Sequence, residues 1–92
     1  MIIRAHIKIY GKVQGVFFRA RAVEKANKLG DITGWVGNNA DGTVEIVAEG
    51  PENKLNDFVD WCRSGPSTSE VTKIEADKFM YTGEFEDFDI RY

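Results

Sequence analysis

Between Gly11 and Arg19 the hydrophobic period of the chain changes, and two glycines, a lysine and an arginine occupy the change. Upstream, Ile3, Ala5, Ile7 and Ile9 alternate with Arg4, His6, Lys8 and Tyr10, the pattern of a strand with one buried face. Downstream, Phe18, Ala22, Ala26 and Leu29 recur at helical spacing with Val23 beside them, and Gly30 stands where a helix C-terminus prefers glycine. A strand therefore hands over to a helix, from about Phe18 to Leu29, through Gly11-Lys12-Val13-Gln14-Gly15-Val16-Phe17. Backbone N–H groups at a helix N-terminus lack intrahelical partners, and with the helix dipole they attract an anion. Arg19 adds a planar fork that fits phosphate oxygens.

The same two periods continue to the end of the chain. Ile32, Gly34, Val36 and Asn38 share one side of a second strand, and Asn39-Ala40-Asp41-Gly42 carries hairpin-turn chemistry into a strand from Thr43 to Glu49. Val44, Ile46 and Ala48 are its core side. Gly50-Pro51 opens a second helix with Leu55, Phe58, Val59 and Cys62 as its apolar stripe, and Ser64-Gly65-Pro66 stops it. Val71 to Phe79 and Phe85 to Ile90 are the remaining strands, with a looser stretch around Tyr81-Thr82-Gly83. The order is a ferredoxin-like α+β fold: a split βαβ sandwich, βαββαβ, with two helices on one face of an antiparallel sheet.

With 92 residues there is room for one domain, spanning residues 1–92. Arg4, His6 and Lys8 break the N-terminal apolar run, so it forms neither a signal-peptide core nor a membrane span, and a cytoplasmic protein is expected. The single cysteine, Cys62, excludes an intrachain disulfide and a cysteine metal cluster. A net charge of −3 argues against a nucleic-acid binder, which neutralises phosphates with a basic surface. Lys12, Arg19 and Arg21 nevertheless fall at one loop, with Arg4 and Lys8 on the strand leading into it. That local positive charge suits a small anion.

A glycine loop alone is weak evidence, because glycines recur wherever backbones bend. Neither the dinucleotide G-x-G-x-x-G pattern nor the G-x-x-x-x-G-K-[ST] nucleotide loop is present, so the anion is smaller than a nucleotide. Arg19 carries more weight, since a cation in a first helical turn opposes the dipole unless an anion lies between them. His6 reads as an exposed strand residue without a visible partner, Cys62 as a buried thiol, and Trp35 and Trp61 as packing residues. Glu84, Glu86, Asp87 and Asp89 are interleaved with Phe85, Phe88 and Ile90, the wet side of a strand rather than a metal site. No metal and no cofactor is assigned. The strand from Thr43 to Glu49 has no aromatic stacking platform, which disfavours RNA recognition.

The run Gly11 to Arg19 closely resembles the signature of the acylphosphatase family, and Gly34-Trp35-Val36-Gly37-Asn38 followed by Asp41-Gly42 resembles that family's second signature. The resemblance extends over nearly the whole chain. It implies a hydrolase cleaving the mixed anhydride of a carboxylic acid and phosphate. Arg19 and Asn38 match the family's catalytic residues, and Lys12, Val13, Gln14, Gly15, Val16, Phe17 and Phe18 match its phosphate-binding loop. The implied mechanism has no covalent intermediate: loop amides and Arg19 hold the phosphoryl oxygens while Asn38 orients a water. An acyl phosphate and inorganic phosphate are the implied partners of a monomer, with no nucleic acid and no membrane. Departures from the pattern are Gly37 in place of a basic residue, Ala40 in place of proline, and a Leu29-Gly30-Asp31-Ile32 stretch one residue longer than usual. The competing reading is a non-catalytic anion-binding or regulatory domain, since fold does not fix function. Its free-standing length favours an independent enzyme.

Overall fold

The computed structural model describes residues Met1–Tyr92. The elements in chain order are β1 (Ile2–Lys12), α1 (Phe18–Leu29), β2 (Thr33–Asn38), β3 (Val44–Pro51), α2 (Glu52–Ser64), β4 (Glu70–Met80) and β5 (Phe88–Arg91). They form one five-stranded sheet in the order β4-β1-β3-β2-β5. Four strands pair antiparallel, as expected, whereas β5 runs parallel to β2, so the sheet is mixed at one edge.

Both helices cover the face to which Ala5, Ile7 and Ile9 of β1 point. These residues pack with Val36, Val44, Ile46, Ala48 and Phe88 from the sheet and with Phe18, Ala22, Ala26, Leu55, Phe58 and Cys62 from the helices. Aromatic rings tie the layers together: Phe58 meets Phe88 edge-on at 5.5 Å and stacks with Trp61, whose ring lies 5.5 Å from Phe18. The predicted core stripes of β1, α1, β3 and α2 are all present.

Several boundaries differ from the sequence expectation, most by one residue. Pro51 closes β3 and caps α2, so the helix begins at Glu52. The strand expected from Phe85 starts only at Phe88, and Glu84, Glu86 and Asp87 lie in the loop before it. Glu49 supplies the cause. Its fully buried carboxylate accepts hydrogen bonds from Arg4 Nε (3.0 Å), Thr82 N (2.8 Å), Thr82 Oγ1 (2.8 Å) and Gly83 N (3.0 Å), which pins that loop across the uncovered face of the sheet. Burial opposes its ionisation, and these donors overcome burial and hold it below the usual carboxylate range. The long Leu29–Ile32 junction is absorbed by Gly30 and Asp31, both at positive φ, with Lys54 Nζ 2.9 Å from the Asp31 carboxylate.

Candidate active site

The site begins where β1 leaves the sheet. The β1–β4 register shifts between Tyr10 and Gly11, and a side chain at Gly11 (φ 124°) would lie 2.0 Å from the Glu70 carbonyl oxygen. Only glycine permits that bulge. Val13 is then buried, Gly15 adopts φ 71° with open space around it, and Phe17 adopts a left-handed φ of 63° before α1 begins. Val16 between them does not share that hand. Alternating hand turns successive backbone N–H groups toward one concavity, the geometry of an anion nest.

The start of α1 lacks the usual satisfiers. Arg21 N–H makes the first helical hydrogen bond, to the Phe17 carbonyl (3.0 Å); no side chain caps the helix and its first turn holds no acid. Arg19 occupies that turn instead, with no carboxylate within ion-pair distance, and its guanidinium lies 5.4 Å from the centroid of the Tyr92 ring. A cavity of about 320 Å³ is lined by Val13, Gly15, Phe17, Phe18, Arg19, Ala20, Ile90 and Tyr92. A larger one, about 620 Å³, lies on the uncovered face of the sheet, but four acids, Glu84, Glu86, Asp87 and Asp89, outnumber the two arginines, Arg4 and Arg91, that line it. Its charge is wrong for a phosphate.

Of the cations expected near the loop, three are neutralised. Arg4 sits at the far end of β1 on Glu49 and Glu84, Lys8 pairs with Asp41 at 3.3 Å, and Arg21 pairs with Glu24 at 2.6 Å. Lys12, exposed beside the loop, makes no ion pair, and neither does Arg19. The positive field at the cradle therefore comes from the helix start, Arg19 and Lys12 rather than from all five side chains.

Among the loop residues, Val13 and Phe18 bury their side chains, so they can offer a ligand only backbone N–H groups. Phe18 is wedged against Trp61, and a side chain at Gly65 would meet its ring at 2.7 Å. Thr68 Oγ1 donates to the Val16 carbonyl (2.6 Å). Gln14 turns sideways, and its Nε2 donates to the carbonyls of Asn39 (2.7 Å) and Thr43 (2.9 Å).

Those acceptors belong to the hairpin that carries Asn38, which ends β2 paired with Val44 and whose exposed side chain has no hydrogen-bond partner. Asn39, by contrast, is committed to the turn: its N–H donates to the Thr43 carbonyl (2.9 Å) and its Nδ2 to Thr43 Oγ1 (3.0 Å). Asp41 Oδ1 accepts from Thr43 N (3.0 Å) and Oγ1 (2.6 Å), which, with Lys8, lowers the Asp41 carboxyl to about 2. Gly37 is buried, and a side chain there would lie 2.9 Å from the Arg91 carbonyl oxygen. Its absence of a side chain lets β5 close on β2 and brings Tyr92 to the same sheet end as Asn38.

Sequence reasoning missed the Gln14 bridge, the Thr68 tether and the Tyr92 ring, because each depends on a partner distant in the chain. His6, expected to lack a partner, binds the Glu45 carboxylate on the uncovered face. Cys62 is buried, which pushes its thiol far above its ordinary value and makes it inert.

A family model described as acylphosphatase matches residues 5–90. An acylphosphatase of Geobacter sulfurreducens is 46% identical over 92 residues, 100% of both chains. One of Methylococcus capsulatus is 46% identical over 85 residues, 92% of this chain and 91% of its own. The crystal structure of acylphosphatase from Bacillus subtilis is similar with a TM-score of 0.92 and 40% identity over 100% of each chain. A strand that breaks into an anion nest, an arginine in an acid-free helix start and an asparagine on the neighbouring hairpin thus lie within a match running almost from end to end: the chain belongs to the acylphosphatase family.

Proposed function

We propose that this chain, working as a single-domain cytoplasmic monomer, hydrolyses the carboxyl-phosphate bond of small acyl phosphates, with Arg19 and Asn38 as its catalytic residues. The phosphoryl oxygens lie against the backbone N–H groups of the loop from Lys12 to Phe18 and against the Arg19 guanidinium. Asn38 holds a water in line with the bond to be broken. The water oxygen bonds to phosphorus, the bond from phosphorus to the acyl oxygen breaks, and the carboxylate departs while a proton passes from the water to a substrate phosphate oxygen. Asparagine is no strong base, and a carboxylate leaving group needs none. Positioning and charge stabilisation then carry the rate, as in other phosphoryl transfers.

The observation that carries this reading is the start of α1, which has neither cap nor acid yet holds Arg19 free of any carboxylate. Asn38 supports it by being exposed and unbonded while Asn39 is occupied. Cys62 is buried and offers no nucleophilic thiol, which supports attack by water rather than through a cysteine adduct; the reading calls for no metal and no cofactor. Steady-state hydrolysis of benzoyl phosphate is the test, with inorganic phosphate as a competitive inhibitor and EDTA without effect. A protein that binds phosphate but turns over no acyl phosphate is instead an anion-binding domain.

A further inference from the structure

The anion cradle and the Asn38 hairpin belong to different parts of the chain, and sheet pairing does not join them. The β1–β3 register ends at Ile9 and Val44, and from Gly11 onward β1 pairs only with β4, through Val71 and Glu70. Between loop residues 13–17 and turn residues 39–43, the hydrogen bonds are the two that Gln14 Nε2 donates, 2.7 Å to the Asn39 carbonyl and 2.9 Å to the Thr43 carbonyl. These carbonyls already close the turn, accepting Gly42 N–H at 3.2 Å and Asn39 N–H at 2.9 Å respectively. Gln14 thus adds a second donor to each side of the hairpin mouth. Its own backbone is fixed by buried Val13 beside it.

We propose that Gln14 is a positioning residue, whose carboxamide sets the separation between the phosphate cradle and the water held by Asn38. The proposal rests on the catalytic reading of Asn38 given above. In-line attack needs the water and phosphorus at one distance and one angle, and a misplacement of about 1 Å costs on the order of a hundredfold in rate. Both Nε2 protons are engaged, so the chemistry is specific to an amide of this length. Glutamate has the same shape but no proton to give and sets a negative oxygen against two carbonyls. Asparagine is one methylene short.

Kinetics on benzoyl phosphate with Gln14→Ala and Gln14→Glu, alone and combined with Asn38→Ala, test this. Each single Gln14 variant lowers kcat about tenfold to a hundredfold, while KM and the inhibition constant of inorganic phosphate stay within about threefold. In the Asn38→Ala background, Gln14→Ala changes kcat by less than about threefold, because the group it positions is gone. Wild-type kcat in Gln14→Glu overturns the proposal, as does an undiminished loss in the Asn38→Ala background. Phosphate inhibition weakened as much as kcat makes Gln14 an anion contact and also overturns it. If Asn38→Ala alone keeps wild-type kcat, the catalytic reading of Asn38 fails, and the bridge is judged by NMR relaxation of the amides of residues 38–43. Greater mobility there in Gln14→Ala supports it, and unchanged mobility overturns it.

Discussion

The two helices of this chain begin in opposite ways. At the start of α2, Pro51 precedes Glu52, an acid in the first turn, and Lys78 Nζ lies 2.8 Å from its carboxylate. The Glu52 N–H donates to the Met1 carbonyl at 3.0 Å. No side chain caps α2 either, so its start differs from that of α1 in holding an acid and in this bond to Met1. At the start of α1 there is no acid and no cap, a left-handed phenylalanine stands before the first turn, and Arg19 adds positive charge to a positive pole. A helix start left without an acid keeps its positive pole open to an anion, and in charge the two starts differ by one acid and one arginine.

The largest test of that contrast is Arg19→Ala, expected to lose roughly a thousandfold or more in kcat/KM, about 4 kcal/mol at the transition state, while folding survives. Phosphate is expected to raise the Tm of the wild type and to lose that effect in the same variant. Glu52→Ala at the other helix should leave kcat/KM unchanged.

Asn38→Ala should lower kcat by about a hundredfold with KM little changed, whereas Asn39→Ala should act through hairpin stability alone. An inactive, folded Asn39 variant beside an active Asn38 variant would reverse the assignment.

Phe17→Gly should relieve the left-handed backbone at α1 and stabilise the fold by about 1 kcal/mol in denaturant titration, since the ring is 72% exposed and little packing is lost. No comparable gain is available at Pro51, whose φ of −58° is already relaxed.

The smallest effect is acid sensitivity. The folded Asp41 carboxyl lies at about 2, below its value in the unfolded chain, so its contribution to the hairpin is present above about pH 4 and is lost as pH falls through 2. Lys78 depresses Glu52 as well, so the start of α2 loosens in the same direction. The start of α1 has no acid to protonate. Amide shifts followed by NMR from pH 5 downward should move at Thr43 and Glu52 before Arg19.

Patterns of period two and period 3.6 made β1, α1, β3 and most of α2 legible, because each buries one face and the face is written in the alternation of its residues. The loop from β1 to α1 was legible for the same reason, lying at the join of two clear patterns. What could not be read was set by long-range partners. Phe85 is interleaved with acidic residues as Phe88 and Ile90 are, yet Glu49 holds Thr82 and Gly83 from 33 and 34 residues away and keeps the chain in a loop. Arg4 shares a strand face with Lys8, and only the fold reveals that carboxylates claim both. Gln14 looked like one more loop residue, because its amide could equally have faced a ligand.

Val13 and Phe18, buried at either end of the cradle, have a consequence for how the protein fails. The loop between them is ordered when the core condenses, so its conformational entropy is surrendered during folding rather than at the arrival of substrate. Ligand capture should then require no loop closure, and the loop should show no melting transition of its own. Trp61, packed on Phe18, reports on the same unit. Loss of hydrolysis and the change in tryptophan fluorescence should therefore follow one denaturant curve, with no inactive folded species between the working protein and the unfolded chain.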